Sequence, residues 1–148
     1  MTTRPPRNVE VDLGQPVDTW PYEAVVALLE RGGVRDWARI TARIRQDPWG
    51  PVARQVEDYL DYADASGVTA LLGRAIDTAR AEAAAAERAE VRDEVTRLIR
   101  ASGLTAADFA RRIGTSPSRL STYRSGSVVP SAALLMRMRR AADVAASR

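Results

Sequence analysis

Between residues 116 and 127 the chain carries six aliphatic hydroxyls, Ser116, Ser118, Ser121, Thr122, Ser125 and Ser127, and two guanidiniums, Arg119 and Arg124. Hydroxyls donate and accept hydrogen bonds, and guanidiniums donate with a permanent charge. Pro117 and Gly126 bracket the segment as helix start and stop signals. At helical spacing Leu120 and Tyr123 face inward, and Ser118, Arg119, Ser121, Thr122 and Ser125 are left outside. A helix with such an outer face is slim, hydrogen-bonding and cationic, which suits the major groove of a nucleic-acid duplex.

Other chemistries find little support. The chain has no Cys and no His, and all 22 of its basic residues are Arg. Thiolate and imidazole metal sites are thereby excluded, as is the side chain most used for proton transfer near neutral pH. No nucleophile elbow, phosphate-binding glycine loop or paired-carboxylate motif occurs. The expectation is a protein that is not an enzyme and that needs no cofactor or metal. Charge is uneven along the chain. Residues 102–148 hold eight Arg and two Asp, a net +6, whereas residues 1–101 hold fourteen Arg and seventeen acids, a net −3. The cationic third coincides with the hydroxyl-rich helix, as a polyanionic partner requires.

The elements around that helix are legible. Thr105 is a good N-cap with Asp108 three residues on, and Leu104, Phe109, Ala110 and Ile113 form one apolar face. Gly114 fits the left-handed position past the last turn, and Ser116 caps the next helix with Pro117 in its first position. After Pro130, Ser131 caps a last helix bearing Leu134, Leu135, Met138 and Val144, with Arg137, Arg139 and Arg140 on or near its outer side.

The pattern Leu-Thr-x-x-x-Phe-Ala, Gly-Thr-Ser, Leu-Ser-x-Tyr-x-x-Gly, Pro-Ser over about Val91 to Ala142 resembles the Xre family, the helix-turn-helix of phage Cro and repressor proteins. The resemblance implies that residues 117–125 form the recognition helix and that Ser118, Ser121 and Thr122 stand at base-reading positions. It extends the DNA-binding set to Thr105, Ser116, Pro117, Ser118, Arg119, Ser121, Thr122, Arg124, Ser125 and Ser127. Three departures mark this chain. Ile99 and Arg124 occupy the places where many members pair an Arg with a Glu. Ala106 stands where a phosphate-binding amide side chain is common, and the loop Ser127-Val128-Val129 lacks basic residues.

The rest of the chain reads as helices. Residues 1–17, with Arg4, Pro5, Pro6, Arg7, Gly14 and Pro16, read as a flexible arm. Asp18 or Thr19 is expected to cap a first helix with Val25, Val26, Leu28 and Leu29 inward, stopped at Gly32-Gly33. A second runs from Val34 to Gln46 with Trp37, Ile40 and Ile44 on one face and Arg35, Arg39, Arg43 and Arg45 on the others. Residues 47–51, Asp47-Pro48-Trp49-Gly50-Pro51, form a turn with a hydrophobic anchor. The third helix turns Val52, Val56, Tyr59 and Leu60 inward, with Glu57, Asp58, Asp61 and Asp64 at the surface. A fourth starts after Ser66-Gly67, burying Val68, Leu71, Leu72 and Ile76. From Ile76 to Ser102 nothing stops a helix, and Ala81 to Ala89 is a spacer or a close-packed alanine seam.

The expected architecture is all-α. It comprises an arm (1–17), a helical bundle with connecting helix for dimerisation or partner binding (18–87), and a helix-turn-helix domain (88–148). Two functions follow as expectations. One is a sequence-specific regulator of transcription, a repressor acting as a homodimer on a palindromic duplex operator. The other is an antitoxin or adaptor whose N-terminal half binds a partner protein such as a toxin. No apolar run approaches the length of a membrane span and no signal peptide is evident, so a soluble, cytoplasmic protein is expected, nucleoid-associated when bound.

Overall fold

The computed structural model describes Asp12 and residues 14–147. The expected arm, up to residue 11, lies outside the described residues. Among these the regular structure is a 3-10 turn, Val17–Thr19, and seven α-helices. They are α1 (Tyr22–Arg31), α2 (Val34–Gln46), α3 (Pro51–Leu60), α4 (Gly67–Ser102), α5 (Ala106–Ile113), α6 (Pro117–Ser125) and α7 (Ala132–Ala146). None of these helices is long and apolar enough to cross a membrane. The chain divides into two compact units, Met1–Ala83 and Ala84–Arg148.

The N-terminal unit closes on Trp20, Val25, Ile40, Ile44, Val56 and Leu72, all buried. The five aliphatic side chains among these are fully enclosed, and each contributes about 1.5–3 kcal/mol by leaving water. Asp18 and Thr19 do not cap α1. They lie in the 3-10 turn, and Pro21 is the N-cap, with no side-chain bond. The turn brings buried Val17 and Trp20 onto the core, and the Trp20 indole donates to the Gln15 carbonyl at 3.1 Å.

The stop at Gly32 has a steric cause. A Cβ there would stand 2.3 Å from the Leu28 carbonyl oxygen, which accepts from the Gly32 N–H as the last bond of α1. The next helix is started by Asp36, a buried carboxylate that accepts from the Gly33 N–H at 3.0 Å. Its Arg row is partly engaged. Arg39 stacks 5.0 Å from the Trp20 ring centroid, and Arg43 pairs with Asp18 at 3.4 Å.

One expected placement is made specific here and two are corrected. In the 47–51 turn Trp49 is 49% exposed and the buried residues are Pro48 and Gly50, so the hydrophobic anchor is Pro48. Leu71 is likewise 50% exposed rather than inward. Glu57 is not a free surface acid. It accepts both terminal nitrogens of Arg80, which is 23 residues away, while Arg80 Nε donates to the Pro48 carbonyl at 3.0 Å. This tie holds α3 and the 47–51 turn to α4.

Arg80 beside Glu57 holds its carboxyl below the usual range. A depressed folded value stabilises the fold above the ordinary Glu pKa, and that contribution is lost as pH falls through the folded value. Both side chains are partly exposed, so the pair is worth about 0.5–1 kcal/mol. Glu57→Gln is expected to lower the melting temperature at neutral pH by about 2–6 °C and to flatten the acid side of the stability profile. Thermal melts from acid to neutral pH check this. Parallel profiles for the two proteins would be the contrary result.

α4 contributes its first turns to one unit and its last turns to the other. Leu-poor residues 81–89 are exposed or half-buried, so no alanine seam is packed within the described chain. In the C-terminal unit, Val95, Leu98 and Ile99 of α4 pack with Phe109, Ile113, Leu120, Tyr123 and Met138. The helix ends where buried Ser102 donates to the Ile99 carbonyl at 2.6 Å and accepts the Leu104 N–H at 3.2 Å. Leu104, expected inward, is 40% exposed, because it lies in the link before the Thr105 cap rather than on α5.

Candidate nucleic-acid interface

α5 and α6 are set by their ends. The Thr105 hydroxyl accepts the Asp108 N–H at 3.2 Å and donates to the Asp108 carboxylate at 2.7 Å. That hydrogen bond, reinforced by Arg111, keeps the Asp108 carboxyl below its usual range. α5 stops at Gly114 in the left-handed region, φ 78°. Only two residues separate it from Ser116, whose hydroxyl accepts the Arg119 N–H at 3.2 Å to start α6, with Pro117 in the first turn. Gly126 closes α6 at φ 81°. It has a second reason to be glycine, since a Cβ would come within 3.2 Å of the Arg92 side chain.

Leu120 and Tyr123 are the two buried residues of α6. Ser118, Arg119, Ser121, Arg124 and Ser125 are exposed, and Thr122 is half-buried. The expected hydroxyl–arginine face is therefore on one short helix, open to solvent, with Ser127 exposed just beyond it. The hydroxyls are not equivalent. Thr122 donates to the Arg119 carbonyl at 2.7 Å, and Ser125 and Ser127 both donate to the Thr122 carbonyl, at 3.1 and 3.2 Å. Ser118 is within 3.1 Å of the Ser116 hydroxyl. Ser121 alone among these has no intramolecular bond among the described residues. Sequence spacing cannot reveal this distinction, because it depends on each side chain's rotamer against its own helix.

The cations also sort. Arg111 pairs with Asp108, and Arg139 reaches Glu94 at 3.5 Å. Arg137 donates to the Ile113 carbonyl at 3.2 Å, tying α7 to the end of α5. Arg137, Arg139 and Arg140 are all exposed, as expected, but Arg137 and Arg139 are partly used in the fold, and Arg140 is the one left without such a bond. Glu94 is held by Arg97 and Arg139, which keep its carboxyl low, so it is no partner for Arg124. Arg112, Arg119 and Arg124 form no ion pair among the described residues. Ile99 is buried in the core, so one half of the missing Arg–Glu pair has become packing and the other a free cation.

Two short helices joined across a left-handed glycine, the second capped by Ser and Pro and exposing its polar face, define a helix-turn-helix. The family model described as Helix-turn-helix matches residues 96–147, and that segment is a helix-turn-helix domain of the Cro/repressor, Xre-like type. It is the domain of DNA-binding transcription regulators. Comparison with curated proteins and with solved structures gives no match.

Proposed function

We propose that the protein is a sequence-specific repressor that binds a palindromic duplex operator as a homodimer, with α6 in the major groove. The observation that carries this reading is the exposed face of α6, where Ser118, Ser121 and Thr122 present hydrogen-bonding groups beside Arg119 and Arg124. Ser121, with no intramolecular bond to give up, is the strongest base reader. Thr122 offers its methyl and its acceptor lone pairs, and Ser118 an exchangeable bond to Ser116. Thr105 and Ser116 fix helix N-termini whose amides face phosphate, while Pro117, Ser125 and Ser127 shape the two ends of the reading helix. Repression follows from occupying an operator that overlaps a polymerase site, in the cytoplasm and on the nucleoid.

Arg124 supplies backbone grip in place of Ala106 and the uncharged loop 127–129. Arg124→Ala is expected to weaken binding to every duplex by a similar factor and to reduce the salt slope by about one phosphate equivalent. Its melting temperature should be unchanged, since Arg124 is exposed and makes no ion pair among the described residues. Titrations at several salt concentrations read the effect. Unchanged affinity would remove Arg124 from the interface.

One short reading helix makes too few base contacts to select a genomic site, so two are needed. Leu134 and Met138 are consumed by the C-terminal core, leaving Met136 and Val144 as the exposed large apolar residues of α7. That is a small patch beside exposed Arg140. We therefore place dimerisation in the N-terminal half, including the exposed alanines of residues 81–89. Sedimentation of residues 88–148 against the whole chain is expected to give a monomeric fragment and a dimeric parent. A fragment as dimeric as the parent would move the contact to α7.

A further inference from the structure

Within the N-terminal unit, α2 and α4 leave between them a groove of about 520 Å³. Val34, Trp37 and Ala38 line it from α2, and Leu71, Ala75 and Ala79 line it from α4. These positions repeat at three and four residues, so each helix lends one apolar stripe. Val34 is 75% exposed and Leu71 50% exposed, the least protected large aliphatic side chains among the described residues of the unit. The core they flank is already complete, with Ile40, Ile44, Leu72 and Ile76 buried behind them. The volume lies in the range of small-molecule clefts, about 300–1,000 Å³.

The polar members of the lining settle what could occupy it. Arg45 and Arg74 both line the groove and are exposed, and neither forms an ion pair among the described residues. No acid lines it. Guanidinium stays charged at any physiological pH, so the groove combines an apolar floor with two permanent cations. A second copy is a poor occupant. A two-fold contact places a patch against the same patch of its copy, which would gather four guanidiniums, Arg45 and Arg74 of each chain, in one interface whose lining supplies no carboxylate.

We propose that this groove binds an amphiphilic carboxylate of the medium-chain fatty-acid class, its chain along Trp37, Ala38 and Ala75 and its carboxylate held by Arg45 and Arg74. Arg–carboxylate hydrogen bonds are charge-assisted and directional, while the apolar chain covers Val34 and Leu71. The site is independent of the DNA-binding reading, since it draws only on residues of α2 and α4.

Decanoate, below its micellar concentration, is the probe, titrated calorimetrically into the full chain without DNA. Saturable binding with a stoichiometry of one per chain is expected, accompanied by a change in tryptophan fluorescence that is lost in Trp37→Phe. The Arg45→Gln/Arg74→Gln double variant should bind at least about tenfold more weakly, with its melting temperature kept because both residues are exposed. Uncharged decanol should also bind more weakly than decanoate. Absence of saturable binding, or equal affinity in the double variant, would overturn the proposal. So would loss of self-association in the double variant, which would make the groove a contact between copies. Tight binding of a synthetic acidic amphipathic helix that decanoate fails to displace would overturn it in favour of a protein segment.

Discussion

Phe109→Ala is expected to unfold the C-terminal unit at temperatures where the parent is folded. Phe109 is fully buried and is the largest of the enclosed side chains. It sits on α5 among Ala110, Ile113, Leu120 and Met138, so its removal opens a cavity at the junction of the helix-turn-helix. Such a truncation costs about 3–5 kcal/mol. At about 0.05–0.15 kcal/mol per residue, a unit of this size has about 3–10 kcal/mol of stability, so the loss is a large fraction of what is present. The melting transition of this unit should fall by more than about 12 °C. All three tryptophans, Trp20, Trp37 and Trp49, lie in the other unit, so their fluorescence follows that core separately. A variant that melts with the parent would mean that α5 and α6 are not packed as described.

DNA affinity is expected to fall steeply with salt. Residues 102–148 carry net +6. The structure qualifies that number, because Arg111, Arg137 and Arg139 are engaged within the fold. Arg100, Arg112, Arg119, Arg124 and Arg140 form no ion pair among the described residues, and the amides at the starts of α5 and α6 add donors without charge. Contact with about four to six phosphates per protomer, about eight to twelve for the proposed dimer, gives a log–log slope of about −0.9 per phosphate, so the dimer's affinity should drop about 10⁴- to 10⁶-fold between about 50 and 200 mM salt. Titration over that range checks it. A flat response would leave the cationic third without a polyanionic partner.

The helix-turn-helix was legible in sequence because its punctuation is local. Thr105, Gly114, Ser116, Pro117 and Gly126 each act within three residues of themselves, and each stands where its chemistry put it. The same holds for α2, bounded by Gly33 and the turn at Asp47-Pro48. The start of α1 is not legible in sequence, because Asp18 and Thr19 are good caps in isolation, but Trp20 and Val17 gain more by burial in a 3-10 turn. Leu71 belongs by spacing to a helical stripe, with Val68, Leu72 and Ile76, that points to one side. Periodicity does not say where a neighbouring helix ends. The Arg80–Glu57 tie and the capture of Glu94 by Arg97 and Arg139 depend on which helices meet, which spacing along one strand of sequence does not encode. The groove between α2 and α4 has the same origin: each half is an ordinary amphipathic stripe, and only their juxtaposition makes a cleft.

Selection of bound sequences from random duplex DNA by the full chain, at stated salt, tests the central claim most directly. The account predicts one enriched motif with two-fold symmetry, its half-sites about 34 Å or one helical turn apart. It also predicts that Ser121→Ala and Thr122→Ala relax preference at defined positions by about 1–3 kcal/mol each without abolishing binding. A pool that remains random after repeated selection, or a motif untouched by both replacements, would contradict the assignment of α6 as the reading helix.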